Sequence, residues 1–133
     1  MPPATWTASP ILGVRRVRPA AEYYRDVLGF TLDSVHGVFQ PTADEPDGVY
    51  AIVERSGLRI HFQIRRGDLP DRVRQPLERD VYLYVTDLDA LHADLIRRGA
   101  RITQPPRPTP YGLRELVVED PHGYRLAFTE PIS

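Results

Sequence analysis

Two stretches of the chain carry the apolar spacing of an amphipathic helix. In residues 19–28 the apolar positions are Ala20, Tyr23, Tyr24 and Val27, the i, i+3, i+4, i+7 series of one helical face. Pro19 suits the first turn and Gly29 the stop. In residues 87–98 the face is Leu88, Leu91 and Leu95. Here Asp87 and Asp89 sit at the positive helix end, Arg97 and Arg98 at the negative end, and Gly99 follows.

Everything else alternates or runs apolar over strand-sized lengths. Residues 11–17 precede the first helix and 81–85 the second. Strands at 30–35, 49–54 and 58–64 follow the first helix, and strands at 101–103, 114–119 and 124–129 follow the second. The order is βαβββ, repeated. Residue-level echoes agree: G-L-R-I-H-F from Gly57 matches G-Y-R-L-A-F from Gly123, an offset of 123 − 57 = 66, and Gly29 matches Gly99, an offset of 99 − 29 = 70. The proline-rich stretch 105–112 and residues 40–47 are expected to be loops. The expectation is one α+β domain over residues 1–133, built from two βαβββ modules at about 9–66 and 79–130.

Alternation divides each strand between two faces. Leu58, Ile60, Phe62 and Ile64 point toward the helix layer, leaving Arg59, His61, Gln63 and Arg65 opposite. Val81, Leu83 and Val85 likewise oppose Asp80, Tyr82, Tyr84 and Thr86, and Tyr124, Leu126 and Phe128 oppose Arg125, Ala127 and Thr129. A solvated sheet face favours Thr, Lys and Glu, whereas His61, Tyr82 and Tyr84 together suit a ligand pocket with aromatic walls and polar anchors. Glu115 is placed either toward that cleft or toward solvent, and Phe39 and Tyr111 are further aromatic candidates from loops. His122 belongs to a D-P-H-G turn, His92 to the outer side of the second helix, and His36 either to a loop or to the cleft.

Composition narrows the function. With 17 basic and 18 acidic residues the net charge is −1 and no long run of one sign occurs, which excludes a concentrated phosphate-binding face and makes nucleic acid a poor partner. All the basic residues are arginine, so lysine Schiff-base chemistry is ruled out. The absence of cysteine removes disulfides, thiol nucleophiles and thiolate metal sites. No apolar run approaches the ~18 residues needed to span a bilayer, and the first residues lack a signal-peptide pattern, so the expectation is a cytoplasmic protein without a membrane partner.

The segments YYRDVLGF (23–30), VTDLDALHADLIRRGA (85–100) and YGLRELVVEDPHGYRLAF (111–128), set in paired βαβββ modules, resemble the vicinal-oxygen-chelate superfamily of glyoxalases, extradiol dioxygenases and bleomycin-resistance proteins. The likeness spans roughly residues 10–130. It implies curved mixed sheets around a cleft and, in metal-using members, four ligands from the first and last strands of each module. Those positions fall at Ser9, His61, Asp80 and Ala127. Ala127 cannot ligate and Ser9 is a weak neutral donor, so the resemblance implies no metal and no cofactor. Thr109 to Glu115, TPYGLRE, is similar to the P-W-G-x-R-E loop of the bleomycin-resistance branch, with Tyr111 at the tryptophan position.

What this implies is a binding protein that sequesters an aromatic or amphipathic small molecule, an antibiotic among the options, in a homodimer that sometimes exchanges an N-terminal arm. The ligand-binding set is His61, Asp80, Tyr82, Tyr84, Tyr111, Glu115, Arg59 and Phe39. The alternatives are a lyase, isomerase or dioxygenase-type enzyme using His61 and Asp80, and a protein-interaction scaffold. Bleomycin-resistance proteins are strongly acidic, whereas this chain is near neutral, with a pI of about 6.4.

Overall fold

The computed structural model describes residues 4–33, 37–68 and 74–132. In chain order the first sheet takes β1 (Ile11–Val14), β2 (Thr31–Leu32), β3 (Val38–Phe39), β4 (Tyr50–Arg55) and β5 (Leu58–Ile64), with helix α1 (Val17–Asp26) between β1 and β2. The second sheet takes β6 (Val81–Tyr84), β7 (Ile102–Pro108), β8 (Leu113–Glu119) and β9 (Arg125–Pro131), with helix α2 (Leu88–Arg97) between β6 and β7. Strand order is β1-β5-β4-β2, with β3 also pairing β4, in one sheet and β6-β9-β8-β7 in the other. In each, the first strand runs parallel to the last and all other pairs are antiparallel.

The repeat holds at the level of register. Ile11 pairs with His61 across β1 and β5, and Tyr82 pairs with Ala127 across β6 and β9. The offsets are 82 − 11 = 71 and 127 − 61 = 66. The same 66 relates Gln63, opposite Tyr50, to Thr129, opposite Glu115. Tyr50 and Glu115 therefore occupy equivalent places, one in each sheet.

The expected helix-facing sides are the buried ones. Val53, Ile60, Phe62, Leu116, Val118 and Leu126 are fully enclosed against α1 and α2, which contribute Val17, Tyr24, Leu88 and Leu95. Removing a side chain of this size from water contributes about 1.5–3 kcal/mol, so this layer carries most of the stabilisation.

Some expectations are corrected. The stretch 105–112 is not wholly a loop, because β7 runs through Pro105, Pro106 and Pro108. It is an edge strand with register shifts between Ile102 and Gln104 and between Gln104 and Arg107, positions where missing N–H groups cost no ladder bond. Helix α1 starts at Val17, two residues before Pro19, because a first-turn proline lacks only an N–H that has no intrahelical partner. The strand expected over 30–35 is limited to Thr31–Leu32 among the described residues, and β3 is an addition to the expected strands. His36 lies outside the described residues.

Among the contacts that join the two halves, side-chain hydrogen bonds stand out. The Tyr24 hydroxyl donates to Asp120 Oδ2 at 2.7 Å, and the Tyr124 hydroxyl donates to the Gly13 carbonyl at 2.6 Å. Arg55 donates to the Leu28 carbonyl at 2.5 Å and to Asp94 Oδ2 on α2 at 3.2 Å. Among the described residues no helix is long and apolar enough to cross a membrane.

Candidate functional site

The face of the second sheet turned away from the helices is built around tyrosines. Tyr82 and Tyr84 lie two residues apart on edge strand β6, so both project to the same side, with their rings edge to face at 5.5 Å. Beside them the central strand β9 offers small residues, with Ala127 opposite Tyr82 and Thr129 opposite Tyr84. Both are fully buried, contrary to the expectation of an open polar row, as small side chains on a central strand between β6 and β8, and the Thr129 hydroxyl donates to the Leu83 carbonyl at 2.7 Å. Next comes β8, whose alternation turns Glu115 and Val117 to this face and Leu116 and Val118 to the core.

Glu115 settles on the site side and is only 5% exposed. Its carboxylate accepts from Arg79 Nη2 at 3.3 Å, from Gln104 Nε2 at 3.2 Å and from the Tyr111 hydroxyl at 3.2 Å. A buried carboxylate needs such partners, since an uncompensated charge there costs several kcal/mol. Tyr111 is tied to the same group through a turn closed by Leu113 N–H donating to Thr109 Oγ1 at 3.1 Å. The neighbouring Tyr82 hydroxyl raises the Tyr111 phenol above its ordinary value, and desolvation and the Glu115 charge push the same way. Tyr84 with Tyr82, in ring contact, and Tyr111 with Glu115, in a hydrogen bond, thus stand side by side, and Tyr84 and Tyr111 remain 73% and 62% exposed.

The first sheet presents a second, smaller group. His61 Nδ1 and the Tyr50 hydroxyl lie 2.6 Å apart in a hydrogen bond whose direction follows the imidazole tautomer, with the rings nearly perpendicular. Ile52 is opposite His61 in the register, and Tyr50, Ile52 and the exposed ring of Phe39 border a hollow of about 280 Å³. Arg59 turns aside to bond Asp33 at 2.6 Å.

The four family metal positions do not make a donor set. Ser9 is exposed in the extended segment before β1, Ala127 has no donor atom, and His61 is bonded to Tyr50. Asp80 is engaged by Arg74 and accepts the Arg125 backbone N–H at 2.8 Å, so its oxygens face cations and amides. Among the described residues His61 takes Tyr50, and not Asp80, as its hydrogen-bond partner. Tyr82, Tyr84, Tyr111 and Glu115 are brought together; His61 and Phe39 share the other sheet, and Arg59 and Asp80 are held in ion pairs.

Three residues of the site escaped the sequence. Tyr50 was detectable, because alternation in β4 puts it on the face of His61. Arg79 and Gln104 carried no periodic signal, since one lies just before a strand and the other at a register shift.

The model of the Glyoxalase/Bleomycin resistance protein/Dioxygenase superfamily matches residues 6–128. Among solved structures, a glyoxalase-related enzyme from Clostridium phytofermentans is 17% identical, with a TM-score of 0.74 over 97% of each chain. TioX from Micromonospora sp. ML1 is 20% identical, with a TM-score of 0.68 over 96% of this chain and 100% of that one. The bleomycin-binding protein of bleomycin-producing Streptomyces verticillus, solved with copper(II)-bleomycin, is 26% identical, with a TM-score of 0.65 over 96% of this chain and 97% of that one. No curated protein matches the chain significantly.

Proposed function

Because the chain belongs to the glyoxalase/bleomycin resistance protein/dioxygenase superfamily, we propose that it holds an aromatic or amphipathic small molecule against the tyrosines of its second sheet and leaves it chemically unchanged. The observation that carries this reading is the tethering of an exposed ring to a buried carboxylate. Tyr111 is fixed by its hydrogen bond to Glu115, Tyr82 and Tyr84 brace each other edge to face beside it, and Glu115 is fixed by Arg79 and Gln104. Rings already held in place lose little freedom on binding, and one stacked aromatic pair adds about 0.5–1.5 kcal/mol beyond burial.

The donor set at Ser9, His61, Asp80 and Ala127 supports binding without metal chemistry, since no divalent ion prefers those four groups as they stand. A bleomycin-binding protein among the structural neighbours, at 26% identity, supports sequestration of an antibiotic-like ligand. Bleomycin itself suits a more acidic protein than one of net charge −1. One observation favours the alternative, an enzyme of the same superfamily: the 2.6 Å contact with Tyr50 orients the His61 ring, as a general acid or base requires.

The cleft is completed by a second copy of the chain. Ile11 and Phe39 on the first sheet and Tyr84 on the second are large groups left exposed on faces that pairing would cover. A homodimer placing the first-sheet face of one chain over the second-sheet face of the other brings His61 and Tyr50 opposite the tyrosines.

A thermal-shift panel of aromatic and amphipathic natural products, copper(II)-bleomycin included, followed by calorimetry on each hit, tests the binding site. Tyr82→Ala and Tyr84→Ala each weaken the hits about tenfold, equivalent to 1.4 kcal/mol. Unchanged affinity in both variants places the ligand elsewhere.

A further inference from the structure

The duplication creates not only two sheet faces but also two crevices where the modules meet, and these crevices are related by the repeat. In one, the β4–β5 turn, represented by Arg55, Ser56 and Leu58, lies beside residues 83–87 at the end of β6. In the other, the β8–β9 turn, represented by Pro121, His122 and Tyr124, lies beside residues 13–15 at the end of β1. Leu58 and Tyr124 differ by the same 124 − 58 = 66 that relates β5 to β9. The linings have diverged: Arg15, Arg65 and Arg74 border the second crevice, whereas the first, about 430 Å³, is bordered by Phe30, Leu58, Leu83, Leu91 and Phe128. The fold therefore does not impose an apolar lining at this place.

We propose that the apolar crevice, which shares only Tyr84 with the tyrosine cluster, is a separate binding site for a neutral aromatic molecule. Its volume lies within the ~300–1,000 Å³ of small-molecule sites, and apolar walls with polar groups such as Ser56, Tyr84 and Thr86 beside them are the usual make-up of such sites. Phe30, Phe128 and Leu83, nearly enclosed in the core, form the floor, and the half-buried side chains of Leu58 and Leu91 close the walls.

The rim sets the ligand's charge. Arg55 is already bonded to the Leu28 carbonyl and to Asp94, and the Asp87 carboxylate accepts the Ala90 N–H at 3.2 Å. A charged ligand would lose its hydration and find Arg55 already paired with Asp94 and the Asp87 carboxylate already bonded to an amide, so a neutral one is preferred. Gly29 shows how closely Arg55 is fitted there, because a Cβ at that position would lie 2.3 Å from Arg55 Nη1. The rim also holds Ser56 and Asp87, the only non-glycine residues with positive φ among the described ones, at 52° and 56°. The two-residue turn accounts for Ser56; Asp87 keeps a left-handed backbone at the mouth, the kind of local cost that gathers at binding sites.

The test titrates the full-length chain, labelled at its leucine and valine methyls, with 2-naphthol and separately with 2-naphthoate. The expected result is saturable shifts at Leu58, Leu83 and Leu91 with 2-naphthol, and binding of the carboxylate about tenfold weaker. Ala90→Trp, at an exposed position that fills the crevice without touching the core, weakens 2-naphthol about tenfold, whereas the Tyr82→Ala, Tyr111→Ala double variant changes it less than about twofold. Leu91→Phe provides a second filling variant. Shifts confined to methyls other than those of Leu58, Leu83 and Leu91, equal binding of naphthoate, full affinity in both filling variants, or no saturable shift overturns the proposal, and none of these bears on whether another ligand occupies the tyrosine face.

Discussion

The Tyr24 hydroxyl donates to Asp120 Oδ2 at 2.7 Å across 96 residues of sequence, with both side chains buried. Tyr24 comes from the middle of α1 and Asp120 from the D-P-H-G turn between β8 and β9, so the bond fastens one module's helix to the other module's hairpin. Asp120 Oδ1 is taken by the backbone N–H groups of His122 and Tyr124, at 2.8 and 2.9 Å, which shapes the turn. Tyr24 meanwhile packs edge to face on Phe62 at 4.8 Å and Phe30 at 5.6 Å. Two motifs that mark the family, the tyrosine-bearing helix and the D-P-x-G turn, are therefore one structural joint.

Tyr24→Phe keeps the ring packing and removes one donor from a buried carboxylate. The expected loss is about 1–3 kcal/mol in urea unfolding, without loss of cooperativity.

Burial raises Asp120 above its ordinary carboxylate value, and the Tyr24 hydroxyl and the two amides only partly offset that. A carboxyl raised in the folded state binds more protons there than when unfolded, so its contribution is fully present below the unfolded value and is lost as pH rises through the folded one. The stability of the wild type relative to Asp120→Asn accordingly increases as pH falls through this window. A flat or opposite difference in pH-dependent unfolding would show that the carboxylate is not desolvated.

Asp94 titrates with the opposite sign. Burial alone would raise it, but hydrogen bonds and charge from Arg98 and Arg55 outweigh burial and hold it below its ordinary value. Its contribution is present above the unfolded value and is lost as pH falls through the folded one. Arg55→Ala should narrow that acid-side loss, measured as a smaller drop in unfolding midpoint on acidification.

Much of the frame is legible in the residues alone. Alternation in residues 58–64 sorts His61 from Phe62, and the offsets at Gly57 and Gly123 foretell the register that pairs Ile11 with His61 and Tyr82 with Ala127. What stays hidden depends on long-range packing. Prolines at 105, 106 and 108 signal a loop unless the strand is known to be at an edge, and the burial of Ala127 and Thr129 depends on the neighbouring strands. Nor does the sequence reveal that Asp80 pairs with Arg74 and His61 with Tyr50, since each partner is brought in by folding.

Tyr111 offers a spectroscopic check on the cluster. Its phenol, raised first by the neighbouring Tyr82 hydroxyl, should titrate at higher pH than a free tyrosine, and Tyr82→Phe should bring it down. Ring-carbon chemical shifts of labelled tyrosine followed with pH report this directly, and an unchanged Tyr111 curve in the variant would mean that Tyr82 is not coupled to Tyr111 and Glu115.

Whether the protein holds its ligand or transforms it is decided by mass spectrometry of a hit from the binding panel, incubated with a stoichiometric amount of the full-length chain and sampled over time. Binding without turnover predicts one unchanged ligand mass throughout in the wild type, with His61→Gln lowering affinity and altering nothing else. A product that accumulates with the wild type and disappears in a His61→Gln variant that still binds the compound would contradict it, and would make His61, held by Tyr50, the centre of an enzyme.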